Sequence, residues 1–455
     1  MSFRTGGIAV LAAVSLKSQT ALTAKVAQLK KKIMDKHYSL ALLVQELYVD
    51  RYPVLYKPSL SLYVSNGRMH LISVTRPFDK LQTIIPLLIL TSILIACLWA
   101  VFITIGTESI RPTMDIRIWA WFFLIVLTSC GICIYYLWLV KGRQPSIFWG
   151  NEMLQLELDL KKSTLQLYRI QNQDPTTLDA LILLGLKIFV WTGYLFTPMG
   201  SLILMVIGVD PTFYIVNYLM NSSPLTTLLL RTFTFNNAIL LDSVILVARF
   251  VSVTVALYEG ERVLFIVLGS VYIIIYTADT IVGLLQKTVH INRRRIQIGL
   301  FHRHIKLYVM LQLAVQAVED IVKVTLSMGI VACMVVLVTM TFVSIRLRHL
   351  LPGYLLVFPI FTGVFSFFLG KTLLTKTGGI YKSIVGLLRS FRAVGIMRGM
   401  RRSVKQGYVR DVRRLSKLKI PIGIGSAVFA TVNQNTNVGL TRLFVEITVN
   451  ALILF

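Results

Sequence analysis

Side chains able to do chemistry are few and scattered in this 455-residue chain. The six histidines, His37, His70, His290, His302, His304 and His349, fall at edges and in connecting segments, without metal-ligand spacing on facing helices. His302 and His304 stand two apart and point to different faces of a helix. Cys130 and Cys133 have the spacing of a redox or metal pair, but no second pair or histidine cluster accompanies them. Two small residues on a membrane helix is the plain alternative. No nucleophile–base constellation is evident, so no catalytic residue, metal or cofactor is expected and an enzyme is the weakest functional class.

The most pointed pattern lies at the end of the chain. Asn435, Arg442, Glu446 and Asn450 are spaced 7, 4 and 4 within an apolar stretch. At 3.6 residues per turn they share one face, roughly 80° wide. Charges at membrane depth are expensive and normally face a bundle interior or water. The stripe therefore reads either as the wall of a hydrated pathway or as an internal Arg442–Glu446 pair bonded to neighbouring helices.

Composition says what must position these residues. Hydrophobic residues make up 55% of the chain and charged ones 15%, against roughly 25% charged in soluble domains. Residues 81–107, 118–140, 324–345 and 350–370 contain no Asp, Glu, Lys or Arg, and about 20 such residues cross the hydrocarbon layer. The reading is an all-α, polytopic membrane protein with seven transmembrane helices, at 82–106, 118–140, 180–208, 262–286, 322–345, 352–372 and 429–455.

The net charge of +27 would suit nucleic acid were it spread along the chain. Instead the first 80 residues hold twelve Lys/Arg against four acids, and 371–419 hold fourteen against Asp411 alone. Six more lie between Lys287 and Lys306 without an acid. Basic clusters beside spans mark the cytoplasmic side and attract anionic lipid head groups. Lipids are thus expected partners and nucleic acid is not. Residues 1–81 read as a basic cytoplasmic segment and 373–428 as a basic cytoplasmic loop with helices. With seven spans the C-terminus is extracellular. No cleavable signal is expected, because a basic tract from Lys25 to Lys36 follows the short apolar stretch Ile8–Leu16.

Residues 226–258 are ambiguous: largely apolar, but interrupted by Arg231, Asp242 and Arg249. An extra span there would put Arg293–Arg295 outside, so 209–260 reads as a long, mostly helical extracellular segment. It holds the sequon Asn221-Ser222-Ser223, a glycosylation candidate at Asn221.

A ligand pocket is expected between the outer halves of the spans, walled by apolar and aromatic groups. Trp119, Trp121, Phe122, Phe196, Tyr272, Tyr276, Phe342 and Phe361 are the candidates, with packing and interfacial belts as the plain alternative. Lys187 and Asp279 could pair or hold a polar ligand. In 379–398, Ile380, Ile384, Leu387, Leu388, Phe391 and Val394 recur at helical spacing. That stripe suits a helix on the inner membrane surface or one packed on other subunits' cytoplasmic helices.

The layout resembles the arthropod gustatory and odorant chemoreceptor superfamily, as a divergent member. Leu415-Ser416-Lys417-Leu418-Lys419-Ile420, then Gly423-Ile424-Gly425, Phe429 and a terminal span are similar to that family's end. His304-Ile305-Lys306-Leu307 is similar to its inner loop before span five. The gustatory ending, Thr-Tyr, five hydrophobic residues and Gln-Phe, is departed from: Thr448 and Phe455 could correspond, but Tyr and Gln are missing. The resemblance implies a ligand-gated cation channel in the plasma membrane. It would be a homo- or heterotetramer with a small organic ligand and four terminal helices lining the pore. A secondary transporter of a small molecule is the alternative, although no inverted repeat is visible.

Overall fold

The computed structural model describes residues 38–53, 60–65, 68–73, 83–107, 115–168, 177–222, 232, 237–295, 298–350, 352–353, 355–394, 402–432 and 435–454. The basic tract Lys25–Lys36, Glu108, Arg111, Arg231, Ser223 and Phe455 lie outside the described residues.

The protein is mostly helical. Helix α1 (38–50) ends in a widened turn, Glu46–Asp50. An antiparallel hairpin follows, β1 (Leu60–Ser65) with β2 (Arg68–Ser73). Then come α2 (Ile85–Thr107), α3 (Ile116–Tyr135, continued by a wide turn to Lys141), α4 (Arg143–Tyr168), α5 (Thr177–Ile207) and α6 (Pro211–Ser222). Helix α7 (Ala238–Arg295) is followed by α8 (Ile298–Ala317), α9 (Glu319–Arg346), α10 (Val357–Val394) and α11 (Arg402–Arg414). A second hairpin, β3 (Pro421–Ile424) and β4 (Ala427–Thr431), leads into α12 (Thr436–Leu454). Among the described residues, six helical stretches are long and apolar enough to cross a membrane, in α2, α3, α5, α7, α9 and α10.

Local chemistry sets the helix ends and irregularities. Asp115 caps α3 by accepting from the Arg117 N–H at 2.8 Å, and its carboxylate also receives the Arg117 guanidinium. Pro198 sits inside α5 and has no N–H to give the Tyr194 carbonyl one turn back. The Tyr258 hydroxyl of α7 donates to that carbonyl instead, at 3.1 Å. In an apolar surrounding every freed backbone group needs such a substitute.

Helix α7 is 58 residues long, about 87 Å at 1.5 Å per residue. That is nearly three times the ~30 Å hydrocarbon layer. Expectation separated an outer segment ending at 260 from a span at 262–286; the structure joins residues 238–295 in one helix. Neighbours fix its level. Arg249 Nε donates to Asp210 Oδ2 at 2.8 Å, just beyond the end of α5. Val263 and Val267 pack with Leu87, Leu90, Tyr135, Trp138 and Leu139, the ends of α2 and α3 remote from the 107–116 connection. The part of α7 running beside α2 and α3 therefore lies largely upstream of 263, and the rest continues past their ends beside α5, α8 and α10. Its apolar composition downstream comes from packing against protein. Ile281, Val282 and Leu285 join Ile305, Tyr308 and Leu311 of α8 in the largest buried cluster.

The same cluster takes in Ile384, Leu387, Leu388 and Phe391. Helix α10 runs unbroken through 372 to 394, and its apolar stripe is packed on α7 and α8, not laid on a membrane surface. Tyr408 of α11 closes the cluster, its hydroxyl donating to the Phe391 carbonyl at 2.9 Å, while Tyr308 donates to the Ser416 carbonyl at 2.8 Å.

The expected start of the last span at 429 is also revised. Residues 427–431 form β4, and the helix begins at Thr436. The two-residue turn has Gly425 at φ 59°, where a side chain would be strained. At Gly423 an added Cβ would lie 2.0 Å from the Ala427 carbonyl oxygen. The Ser327 hydroxyl donates to the Gly423 carbonyl at 3.0 Å and ties the hairpin to α9.

Candidate functional site: the terminal helix and the aromatic cluster beside it

Helix α12 lies against α9 and α10. Phe444 meets Phe367 at 6.2 Å between ring centroids, Thr448 is buried, and Ala451 and Leu452 pack on Phe342, Val343 and Leu347. The opposite side faces away from the protein. Asn435, Arg442, Glu446 and Asn450 are all exposed there. Arg442 Nε donates to Glu446 Oε1 at 2.9 Å, so the two charges form a pair along the helix. The pair leans on none of the other described helices: side-chain exposure is 82% for Arg442 and 53% for Glu446. Apolar groups, among them Val438, Val445 and Val449, share the exposed surface.

The aromatic candidates separate into groups. The Trp119 and Phe342 rings meet tilted at 4.4 Å between centroids, and Phe122 stands 6.4 Å from Trp119. Phe342 is fully buried, and this cluster includes Ile116 as well as Ala451 and Leu452 of α12. Trp121 points elsewhere: it is buried, donates to the Val209 carbonyl at 2.7 Å and meets Tyr214 edge-on. Phe361 stacks on Phe365 at 6.2 Å and is exposed, as is Phe196. Tyr272 and Tyr276 lie downstream of Val263 on α7, and Tyr272 packs with Leu40 and Val44 of α1. They are therefore not brought together with Trp119. Asn221 is exposed near the end of α6.

Lys187 and Asp279 are not neighbours. Leu186 and Val190 pack with Phe265 and Leu268, so Asp279 lies eleven residues (279 − 268) down α7 from that level, about 16 Å away. The buried charges are others. Glu259 and Arg262 pair at 3.1 Å, the guanidinium 4.3 Å over the Tyr52 ring and the Tyr52 hydroxyl donating to Glu259. Glu261 accepts from Thr197 at 2.7 Å and from Tyr48. Tyr38 donates to the buried Glu157, which also binds Lys161. Sequence reasoning missed these contacts because Tyr38, Tyr48 and Tyr52 sit in a segment read as cytoplasmic. The recurring aromatics of 38–52 were the available signal.

His302 meets Tyr408 edge-on at 5.9 Å, whereas His304 is buried with no partner for Nδ1 among the described residues. Burial, and secondarily Arg303, pushes His304 down to about 4. Among the described residues no three His, Cys, Asp or Glu side chains converge as metal ligands.

No protein-family model and no curated protein matches this sequence. Solved structures do match. The insect olfactory receptor OR5 from Machilis hrabei in complex with eugenol aligns over 93% of this chain and 98% of its own. That match has a TM-score of 0.55 at 11% identity. A second structure of the same receptor aligns over 94% and 99%, with a TM-score of 0.48 at 11% identity. The chain thus has the fold of an insect olfactory receptor.

Proposed function

We propose that the chain is a divergent member of the insect chemoreceptor superfamily and acts as a chemosensory, ligand-gated cation channel. In this reading four copies, of one or more kinds, set α12 around a common pathway in the plasma membrane. The carrying observation is the outward face of α12. Arg442 and Glu446 are exposed on a helix of apolar surroundings, and lipid is the costliest medium for them. A shared water-filled axis gives both a favourable one, and acidic rings in such an axis favour cations.

The same reading places the N-terminus in the cytoplasm, seven crossings with α12 as the last, and the C-terminus outside. The crossing of α7 then lies in its upstream part, near 239–262, instead of 262–286, and the number of crossings is unchanged. A small organic molecule would bind among outer aromatic groups. Trp119 and Phe342 are the favoured anchors, because their cluster touches α12 and can pass strain to it. For OR5 the eugenol complex supports a small-molecule ligand of this kind.

Whole-cell recording with a panel of volatile and soluble organic ligands tests the proposal. Ligand-evoked cation current is expected, with a tag after Phe455 labelled on intact cells and a tag before Met1 labelled only after permeabilisation. Coupled uptake without current would favour a transporter, and an inside C-terminus would overturn the topology.

A further inference from the structure

A cavity of about 100 Å³ lies where α1 crosses the junction of α3, α4 and α7. Val44, Leu139, Met153, Val263 and Ile274 make most of its wall apolar, and none of the described residues that line it is charged. Gln45, Ser270 and Thr277 also reach the wall, and two further polar side chains belong to α4. Ser146 and Trp149 stand three apart, hence on one face of the helix. They are only 3% and 5% exposed. Among the described residues, neither Ser146 Oγ nor Trp149 Nε1 has a hydrogen-bond partner. Buried donors are normally satisfied, so each such pair of orphans asks for a partner. A cavity of comparable size, about 150 Å³ and lined only by apolar groups, stays dry and admits benzene. This one adds a fixed N–H donor and a hydroxyl.

We infer that this cavity is a binding site for a small uncharged molecule with one oxygen function. A hydroxyl or carbonyl oxygen accepts from Trp149 Nε1 and exchanges a second hydrogen bond with Ser146. An apolar remainder of roughly six heavy atoms fills the space beside Val44 and Val263. Carboxylates and amines are excluded, because the wall offers no counter-charge. The site is separate from the aromatic cluster at Trp119: Trp138 lies nineteen residues (138 − 119) further along the same helical run, about 28 Å. It does not depend on the channel reading.

Photolabelling of the full chain in lipid nanodiscs with the diazirine alcohol 3-azibutan-1-ol tests the site, with adducts mapped by peptide mass spectrometry. Adducts are expected to concentrate in 146–154 and 263–277, to be displaced by cyclohexanol, and to resist cyclohexanecarboxylate. At Gly269 an added Cβ would have only Val44 within reach, at 3.8 Å. Gly269→Leu therefore extends into the cavity and should lower labelling at least tenfold. Trp149→Phe keeps the ring and removes the donor, and should weaken displacement by cyclohexanol about tenfold while leaving displacement by benzene unchanged. Adducts spread over lipid-facing helices, labelling indifferent to both variants, or a density map with only water between Ser146 and Trp149 in saturating cyclohexanol would overturn the proposal. Trp149→Phe, the milder change, decides the matter should Gly269→Leu fail to fold.

Discussion

Arg442 and Glu446 form a 2.9 Å ion pair one turn apart on α12, on a face that none of the described helices covers. An exposed i,i+4 pair stabilises a helix by only about 0.3–0.5 kcal/mol. Holding the fold of its own chain is therefore not its main effect. Its value lies in what it presents to the surroundings.

Glu446→Gln should accordingly leave surface expression within about twofold of the parent and reduce cation selectivity or conductance. Surface biotinylation and reversal potentials of the single and double variants check this. Loss of expression in Glu446→Gln, restored with ordinary currents by adding Arg442→Gln, would instead mean a structural pair and end the pore-lining reading.

Phe342 is fully buried, tilted against Trp119 at 4.4 Å and packed with Leu452 of α12. Phe342→Ala should destabilise the protein by about 3–5 kcal/mol through the cavity it leaves. Phe342→Leu retains most of the volume and should cost less than about 1.5 kcal/mol. That milder variant is expected to shift the ligand dose–response while thermal unfolding in detergent barely moves. An unchanged dose–response would dissociate this cluster from gating.

Removing the Tyr258 hydroxyl strands the Tyr194 carbonyl that Pro198 cannot bond. Tyr258→Phe should cost about 1–3 kcal/mol, the desolvation penalty of an unpaired buried acceptor. Pro198→Ala supplies the missing N–H, so the double variant should recover most of the loss. Thermal unfolding of the three variants measures it. Additive losses would show that the carbonyl has another partner.

His304 is pushed below its ordinary value of 6.5, to about 4, because burial disfavours the imidazolium. Between these values the unfolded chain binds the extra proton, so stability rises with pH across this window and is fully present above pH 6.5. The loss approaches 3 kcal/mol, on the order of the shift at 1.36 kcal/mol per unit, as pH falls to 4. His304→Leu should flatten stability between pH 4 and 6.5, measured by detergent-resistant folding. A parental slope in that variant would assign the dependence to another group.

Much of the architecture was legible because lipid imposes strict composition rules. Uncharged runs such as 118–140 and 324–345 read as membrane helices, and both lie in helices long and apolar enough to cross a membrane. The spacing of Asn435, Arg442, Glu446 and Asn450 placed them on one face from periodicity alone. The stripe from Ile380 to Phe391 was also readable as a helix face. Its partner was not, since lipid surface and protein core ask for the same apolar side chains. The hairpin that pairs Ile422 with Ala430 was missed for a related reason: a short apolar strand and the first turn of a span have the same composition, and only pairing with a neighbouring strand separates them.

Tertiary structure alone decided which stretches stand at the same level. Residues 263–278 are as apolar as a span, yet Val263 meets the ends of α2 and α3, and the helix continues past them into protein. Hydropathy measures transfer from water and does not distinguish lipid from a buried helix interface. Nor could sequence reveal that Tyr52 covers the Glu259–Arg262 pair, or that Ser146 and Trp149 share a cavity with Val44 and Val263. These pairings join residues over a hundred positions apart. Local propensity and periodicity carry no information at that range, and only the packing of one helix against another specifies them.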